Sequence, residues 1–221
     1  NTSGTGVWVE NTTLGVGKNW YSVAMSANGL IQTVVIYNSN IWTLDNTSGT
    51  GVWVENTTLG GGKNWRSVAM SANGLIQTAV VGGGNIWTLD NTPSGTGVWV
   101  ENTTLGVGKG WYSVAMSANG LIQTAVVFGG NIWTLDNTSG TGVWVENTTL
   151  GVGKDWQSVA MSANGLIQTA VASAGNIWTL DNTSGTGVWE ENTTIGSLNA
   201  WQSVAMSANG LIQTAVVYNG N

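Results

Sequence analysis

Short segments of alternating apolar and polar residues, separated by turn-forming residues, recur along the whole chain and predict β-strands. The unit from Trp20 to Glu55 contains four of them: A over 22–26, B over 30–36, C over 41–44 and D over 52–55. Between A and B, Asn28-Gly29 predicts a hairpin with a type I′ turn, in which both residues have positive φ. Residues 37–40 are predicted to form a loop. Strand B is apolar on both faces, so we expect other parts of the protein to pack against both of them.

This unit recurs almost unchanged about every 45 residues, with copies that start at Asn1, Asn46, Asn91, Asn137 and Asn182. Four short strands per repeat of this length are typical of β-propeller blades. We therefore expect an all-β, five-bladed β-propeller of four-stranded antiparallel blades that forms a single domain over residues 1–221. Five tryptophans that open strand A are expected in the core: Trp20, Trp65, Trp111, Trp156 and Trp201.

The repeats do not begin and end at the same point of the unit. Asn1–Glu10 has the sequence of strand D, whereas the last repeat stops at Asn221 before the segment I-W-T-L-D of strand C. We expect the N-terminal strand to close the ring beside the last A and B strands. Two alternatives stay open for the missing strand C. Either it leaves an edge at which an otherwise monomeric protein exchanges strands with another chain, or terminal residues lie beyond this sequence.

The turn between strands C and D carries a recognisable motif. The segment from Thr43 to Trp53, T-L-D-N-T-S-G-T-G-V-W, resembles the Asp box of bacterial-neuraminidase-type repeats, Ser/Thr-x-Asp-x-Gly-x-Thr-Trp, although extra residues separate Asp from Gly. The resemblance implies a propeller in which the aspartate is a structural fastener that accepts hydrogen bonds in the turn. The corresponding aspartates are Asp45, Asp90, Asp136 and Asp181.

Composition excludes several classes of function. The chain has no Cys and no His, only five Lys and Arg residues, and a net charge of -6, so a nucleic-acid partner is not expected. No apolar run approaches the ~20 residues of a membrane span. Fourteen tryptophans provide ample material for a core, although only 7% of the residues are charged.

The sequence also argues against an enzyme. The resemblance would imply sialidase chemistry, with three arginines and a tyrosine nucleophile, but Arg66 is the single arginine. Most carboxylates fall at equivalent positions of different repeats, where they cannot form the close pair that glycoside hydrolysis needs. Each C–D turn has one carboxylate, too few for calcium, so neither a metal nor a cofactor is expected. Nine Asn-x-Ser/Thr sequons are interpreted as turn residues, or as glycosylation sites if the protein is secreted in a eukaryote.

The repeats differ from one another at two places that a four-stranded meander brings to the same face. One is the D–A connection, with Tyr21, Arg66, Tyr112, Gln157 and Gln202. The other is the B–C loop, where Tyr37, Phe128 and Tyr218 are the aromatic members. Because binding residues concentrate on loops held by a rigid scaffold, these eight are the candidate ligand-binding residues.

Three functions remain open. The first is a non-catalytic scaffold that binds a carbohydrate or a peptide on this face. The second is a purely structural or engineered repeat protein in which these positions have drifted. The third is a degenerate sialidase-like glycosidase.

Overall fold

The structure, a computed structural model, describes residues 6–8, 10–151, 153–195 and 199–219. Apart from one turn of 3-10 helix at Thr12–Leu14, the regular structure of these residues is all β. Blade 1 comprises β1 (Trp20–Met25), β2 (Ile31–Ser39), β3 (Ile41–Asp45) and β4 (Trp53–Asn56). Blade 2 comprises β5 (Lys63–Met70), β6 (Ile76–Gly84), β7 (Ile86–Asp90) and β8 (Trp99–Asn102). Blade 3 comprises β9 (Lys109–Met116), β10 (Ile122–Gly130), β11 (Ile132–Asp136) and β12 (Trp144–Asn147). Blade 4 comprises β13 (Lys154–Met161), β14 (Ile167–Gly175), β15 (Ile177–Asp181) and β16 (Trp189–Asn192). The fifth repeat contributes β17 (Asn199–Met206) and β18 (Gln213–Val217).

Consecutive strands of each blade pair antiparallel, which confirms the four-stranded unit. The hairpin between the first two strands is also present, but its turn is not type I′. In blade 1, Gly29 N–H donates to the Ser26 carbonyl at 2.9 Å, and Gly29 (φ 74°) has a positive φ whereas Asn28 does not. The Asn28 side chain instead accepts hydrogen bonds from Leu30 N–H and the Ser26 hydroxyl. These side-chain contacts stabilise the turn without a left-handed asparagine.

Neighbouring blades are joined by backbone pairing, which the sequence did not reveal. The predicted loop 37–40 is wrong, because β2 continues through Ser39 and its last residues pair with β5 of the next blade: Tyr37 with Asn64 and Ser39 with Lys63. Strands β6, β10 and β14 make the corresponding pairs with β9, β13 and β17. The extension thus finds partners for backbone groups that a loop would leave to water.

The core lies between the blades. Strand β6 is buried over five consecutive residues, as expected for a strand covered on both faces. Trp65, Trp111 and Trp156 are wholly buried, each edge to face with a tryptophan of its own blade at 5.7–6.1 Å between ring centroids. Their predicted packing role is confirmed. The first strands of successive blades contact one another (β1 with β5, β5 with β9, β9 with β13, β13 with β17), so they form the inner side of the array. This is the arrangement of β-propeller blades.

The described residues do not show the expected closure of the ring by the N-terminal strand. Residues 6–8 and 10 belong to no strand, Trp8 is fully exposed, and Trp20 is 43% exposed where its counterparts are buried. Residues 1–5 and 9 lie outside the described part. Within the described residues, no helix is long and apolar enough to span a membrane.

Candidate functional site

The five variable residues assigned to the D–A connection occupy one structural position, inside the first strand of each blade. In β1, Trp20 pairs with Ile36 and Ser22 with Val35, so Tyr21 is an extra residue without a partner on β2. The other first strands have the same β-bulge, at Arg66, Tyr112, Gln157 and Gln202. A bulge leaves its extra residue unpaired and re-aims its side chain. The scaffold therefore presents one variable side chain per blade along its inner side.

The second set of variable residues lies on the strand extensions that reach the next blade. Tyr37 and Phe128 pair across the blade boundary with Asn64 and Asp155. The residue that follows each has positive φ, Asn38 at 56° and Gly129 at 67°. At this residue the register shifts between the two residue pairs that join the extension to the next blade. The irregularity lies next to the β-bulge in the first strand of that next blade.

Five of the eight candidate residues form one continuous group, here called the Arg66 cluster: Tyr21, Tyr37, Arg66, Tyr112 and Phe128. Its middle member, Arg66, is half-buried and donates a hydrogen bond to the Tyr21 hydroxyl. The guanidinium carbon lies 5.0 Å from the Tyr21 ring centroid, 5.2 Å from that of Tyr37 and 5.4 Å from that of Tyr112. Cation–π attraction at such distances holds the guanidinium in place.

Two tilted aromatic pairs flank Arg66, one from each neighbouring blade. Tyr21 and Tyr37 lie 6.2 Å apart in blade 1, and Tyr112 and Phe128 lie 5.9 Å apart in blade 3. Burial is the main cause of a raised pKa at Tyr112, and a hydrogen bond with Tyr21 adds to the rise. The positive charge of Arg66 opposes it. A raised pKa keeps the Tyr112 phenol protonated. Contact between tyrosines of blades 1 and 3 requires that the inner strands converge here.

A cavity of about 390 Å³ adjoins the cluster. Its lining consists of Arg66, Gly82, Gly83, Gly110, Trp111, Tyr112 and Phe128. Gly82 stands where blades 1 and 3 have Tyr37 and Phe128, so the ring that would cover Arg66 from its own blade is missing. The sequence analysis did not select the glycines as site residues. A change from aromatic to glycine at a variable position is a signal of open space that could have identified them.

The other three candidate residues are not brought into the Arg66 cluster. The Gln157 and Gln202 amides donate to backbone carbonyls two residues earlier, at 3.4 Å and 3.5 Å. Tyr218 is 66% exposed. A separate cavity of about 320 Å³ in blade 4 is lined by Asp155, Ser173 and Glu191 among others. A larger cavity, about 610 Å³, lies beside residues 10–20, and its lining includes none of the eight candidates.

The four aspartates of the C–D turns accept hydrogen bonds within their own turns. A carboxylate oxygen of Asp45 accepts from the Thr47 hydroxyl at 2.7 Å and from its backbone N–H at 3.0 Å, and these bonds lower the pKa of Asp45. Asp136 and Asp181 make the same contacts with the same lowering of their pKa values. Asp90 accepts only from the Thr92 N–H, since Pro93 alters that turn. Within the described residues, no group of three or more Asp or Glu side chains is placed to hold a metal ion.

No protein-family model and no curated protein matches the sequence of this chain. Among solved structures, the chain is similar to the β-propeller domain of Cps50 (Swd1) from Myceliophteria thermophila, with a TM-score of 0.64 and 12% sequence identity. The similarity covers 92% of this chain and 65% of that domain, so the chain spans a little under two thirds of that propeller. At this identity it establishes the β-propeller fold alone. The number of five blades and the neuraminidase-type Asp-box family are not confirmed.

Proposed function

We propose that this chain is a non-catalytic binding scaffold and that the Arg66 cluster is its ligand site, with a carbohydrate as the ligand. The observation that carries the proposal is the convergence of variable residues from three blades beside one cavity. If the variable positions were only drifting, nothing would favour contacts between them. Here an arginine and four aromatic rings contact one another.

The chemistry of the cluster suits a sugar. Tyr21 and Phe128 remain 44% and 47% exposed, so their rings are accessible to a ligand. Aromatic rings provide flat apolar area, and the tyrosine hydroxyls and the guanidinium provide hydrogen bonds beside it. A sugar ring offers both an apolar C–H face and hydroxyl groups at its edge, which matches this combination.

The lining of the cavity supports a binding role rather than catalysis. It contains no carboxylate, and the chain has no His or Cys, so the carboxylate, imidazole and thiol groups that most often act as acids, bases and nucleophiles are missing from it. Incubation with a panel of nitrophenyl glycosides, including a sialoside, tests this part. We expect no release above the buffer rate, and release that scales with protein concentration would contradict it.

The binding proposal is tested on a glycan array with the wild type and the variants Tyr21→Ala and Tyr112→Ala. We expect the wild type to bind a restricted set of glycans and each variant to lose most of that signal, because each change removes a ring and a hydroxyl from the cluster. Val145→Ala, an exposed change on the outer strand β12, is the control for nonspecific effects. Absence of glycan binding by the wild type, or full binding by both tyrosine variants, would contradict the proposal.

A further inference from the structure

Among the described residues, the charge of Arg66 has no counter-ion. The chain carries eleven Asp and Glu residues, yet the sole protein partner of the Arg66 guanidinium, within the described part of the chain, is the Tyr21 hydroxyl together with the surrounding rings. A guanidinium has five N–H donors, so most of them have no protein acceptor. A half-buried charge usually finds a partner, because burial of an unpaired charge is costly. An uncompensated arginine in an acidic protein thus points to an anion from outside.

The position of the guanidinium is fixed before any ligand arrives. Three tyrosine rings surround it, and the hydrogen bond to Tyr21 fixes one of its nitrogens. The aromatic contacts restrict the rotation of a side chain that is otherwise flexible, so a ligand loses less binding free energy to ordering it. The same arginine also lines the cavity of about 390 Å³, which places its side chain at a space large enough for a small ligand.

The other residues that line the cavity indicate which chemical group the ligand carries beside its anionic group. Phe128 lines one side with an exposed ring, and Gly82 and Gly110 pair across the boundary between blades 2 and 3. Because these glycines have no side chains, a flat group can approach the backbone closely. A ligand that fills this space has an apolar face for the ring and an anionic group for Arg66.

We propose that the Arg66 cluster binds an acidic carbohydrate, with the carboxylate of a hexuronic acid on Arg66 and the sugar ring against Phe128. This inference rests on the proposed carbohydrate-binding function and narrows its ligand class. A carboxylate is favoured over other anions because its two coplanar oxygens match two N–H groups of the planar guanidinium.

The test compares an acid with its methyl ester, which removes the negative charges and adds one methyl group to each carboxyl. Trigalacturonic acid and its fully methyl-esterified form are titrated into the 221-residue chain by calorimetry. We expect the acid to bind about tenfold to 100-fold more tightly than the ester, because charge-assisted hydrogen bonds are roughly twice as strong as neutral ones. Equal affinity for the two ligands, or tighter binding of the ester, would overturn the inference. This comparison needs no variant, so it does not depend on the folding of one.

Arg66→Gln assigns the effect to the arginine. Glutamine is the residue at the equivalent bulge of blades 4 and 5, Gln157 and Gln202, so the scaffold already accommodates it. We expect this variant to bind the acid no better than the ester. Lys154→Gln is the matched control, since it removes another cation that lies over an aromatic ring, 4.9 Å from the centroid of Trp178, outside the Arg66 cluster. A preference for the acid that survives Arg66→Gln would contradict the assignment.

Gly82→Phe tests the cavity. Blade 3 has phenylalanine at this position, and a Cβ placed at Gly82 would lie 3.0 Å from Nε of Arg66, so the new side chain fills the space and displaces the guanidinium. We expect loss of binding of both ligands with an unchanged melting temperature. Undiminished binding of the acid by this folded variant would contradict the placement of the sugar.

The failure of this inference and the failure of the proposed function give different results. If neutral glycans bind through Tyr21 and Tyr112 but the acid has no advantage, the carbohydrate site stands and the acidic ligand does not. If a sulfated trisaccharide binds and the galacturonate does not, the carboxylate assignment is overturned. If no carbohydrate binds at all, both proposals fail.

Discussion

Blades 1–3 and blade 4 with the β17–β18 hairpin share one scaffold but present different chemistry on it. In both regions the same bulge of the first strand presents one side chain per repeat. In blades 1–3 these side chains are Tyr21, Arg66 and Tyr112, and they contact one another. In the rest of the chain they are Gln157 and Gln202, whose amides bond back to their own strands. A repeat protein can thus hold its backbone constant and confine a cluster of contacting variable side chains to some of its repeats.

The two regions also show that packing residues and variable residues are under different constraints. Residues that pack between blades are nearly invariant among the repeats, because each must fit the same neighbour. Residues at the bulge and the strand extension do not have to fit the same neighbour in every repeat, so their side chains can differ between repeats. The chemical difference between the two regions therefore rests on few residues, and exchange of those residues should transfer it without loss of the fold.

The largest expected effects concern the shared scaffold. Trp111→Ala in blade 3 and Trp156→Ala in blade 4 each remove a wholly buried ring, and each should lower the free energy of unfolding by about 3–5 kcal/mol. Trp156→Ala should lower the free energy of unfolding somewhat more than Trp111→Ala, because the Trp156 indole N–H donates to the Gly130 carbonyl at 3.2 Å. Urea denaturation followed by tryptophan fluorescence measures both. A small cost in one blade and a large cost in the other would show that the two regions are packed differently.

Intermediate effects are expected at the hydrogen bonds between blades. The Thr78 hydroxyl donates to the buried Gln123 side chain at 2.7 Å, and the Thr169 hydroxyl makes the same bond to Gln213, which is exposed. Thr78→Val leaves a buried acceptor without a donor and should cost about 1–3 kcal/mol, whereas water can replace the donor after Thr169→Val, which should cost less. The same denaturation experiment checks the order. Equal costs would mean that burial of the glutamine does not control the effect.

The smallest effects are expected at the C–D turns, and they should be equal in the two regions. Hydrogen bonds from Thr138 and Thr183 lower the pKa values of Asp136 and Asp181 below their ordinary value. A carboxyl whose pKa is lower in the folded state stabilises the fold above its unfolded pKa, and this contribution is lost as pH falls through the folded pKa, here below about pH 4. Thermal melts from pH 6 to pH 2.5 should show a slightly smaller acid-induced decrease in Asp136→Asn and Asp181→Asn than in the wild type. A larger decrease in either variant would contradict the sign.

Much of the fold could be predicted from the sequence, because the repeat multiplies every local signal. The strand units, the buried tryptophans such as Trp65 and the turn role of Asp45 follow from alternation and turn chemistry. The pairing of Tyr37 with Asn64 could not be predicted, since pairing between blades depends on their relative placement. The bulge at Tyr21 was also missed, because one unpaired residue hardly disturbs a short alternating pattern.

Variation among repeats selected eight candidate positions, but it could not show which of their side chains contact one another. It also overlooked Gly82, because a residue without a side chain suggests no chemistry until the surrounding side chains are placed. Contact between Tyr21 and Tyr112, which are 91 positions apart in the numbering, depends on the convergence of the inner strands.

The most direct test of the account exchanges the residues that distinguish the two regions. The triple variant Tyr21→Gln/Arg66→Gln/Tyr112→Gln gives blades 1–3 the bulge residues of blade 4 and β17. Its affinity for the best wild-type glycan is measured by calorimetry, with the melting temperature as the check on folding. We predict a melting temperature close to that of the wild type and binding weakened by at least about 100-fold, the loss of some 3 kcal/mol. Wild-type affinity in the folded variant would contradict a ligand site at the Arg66 cluster.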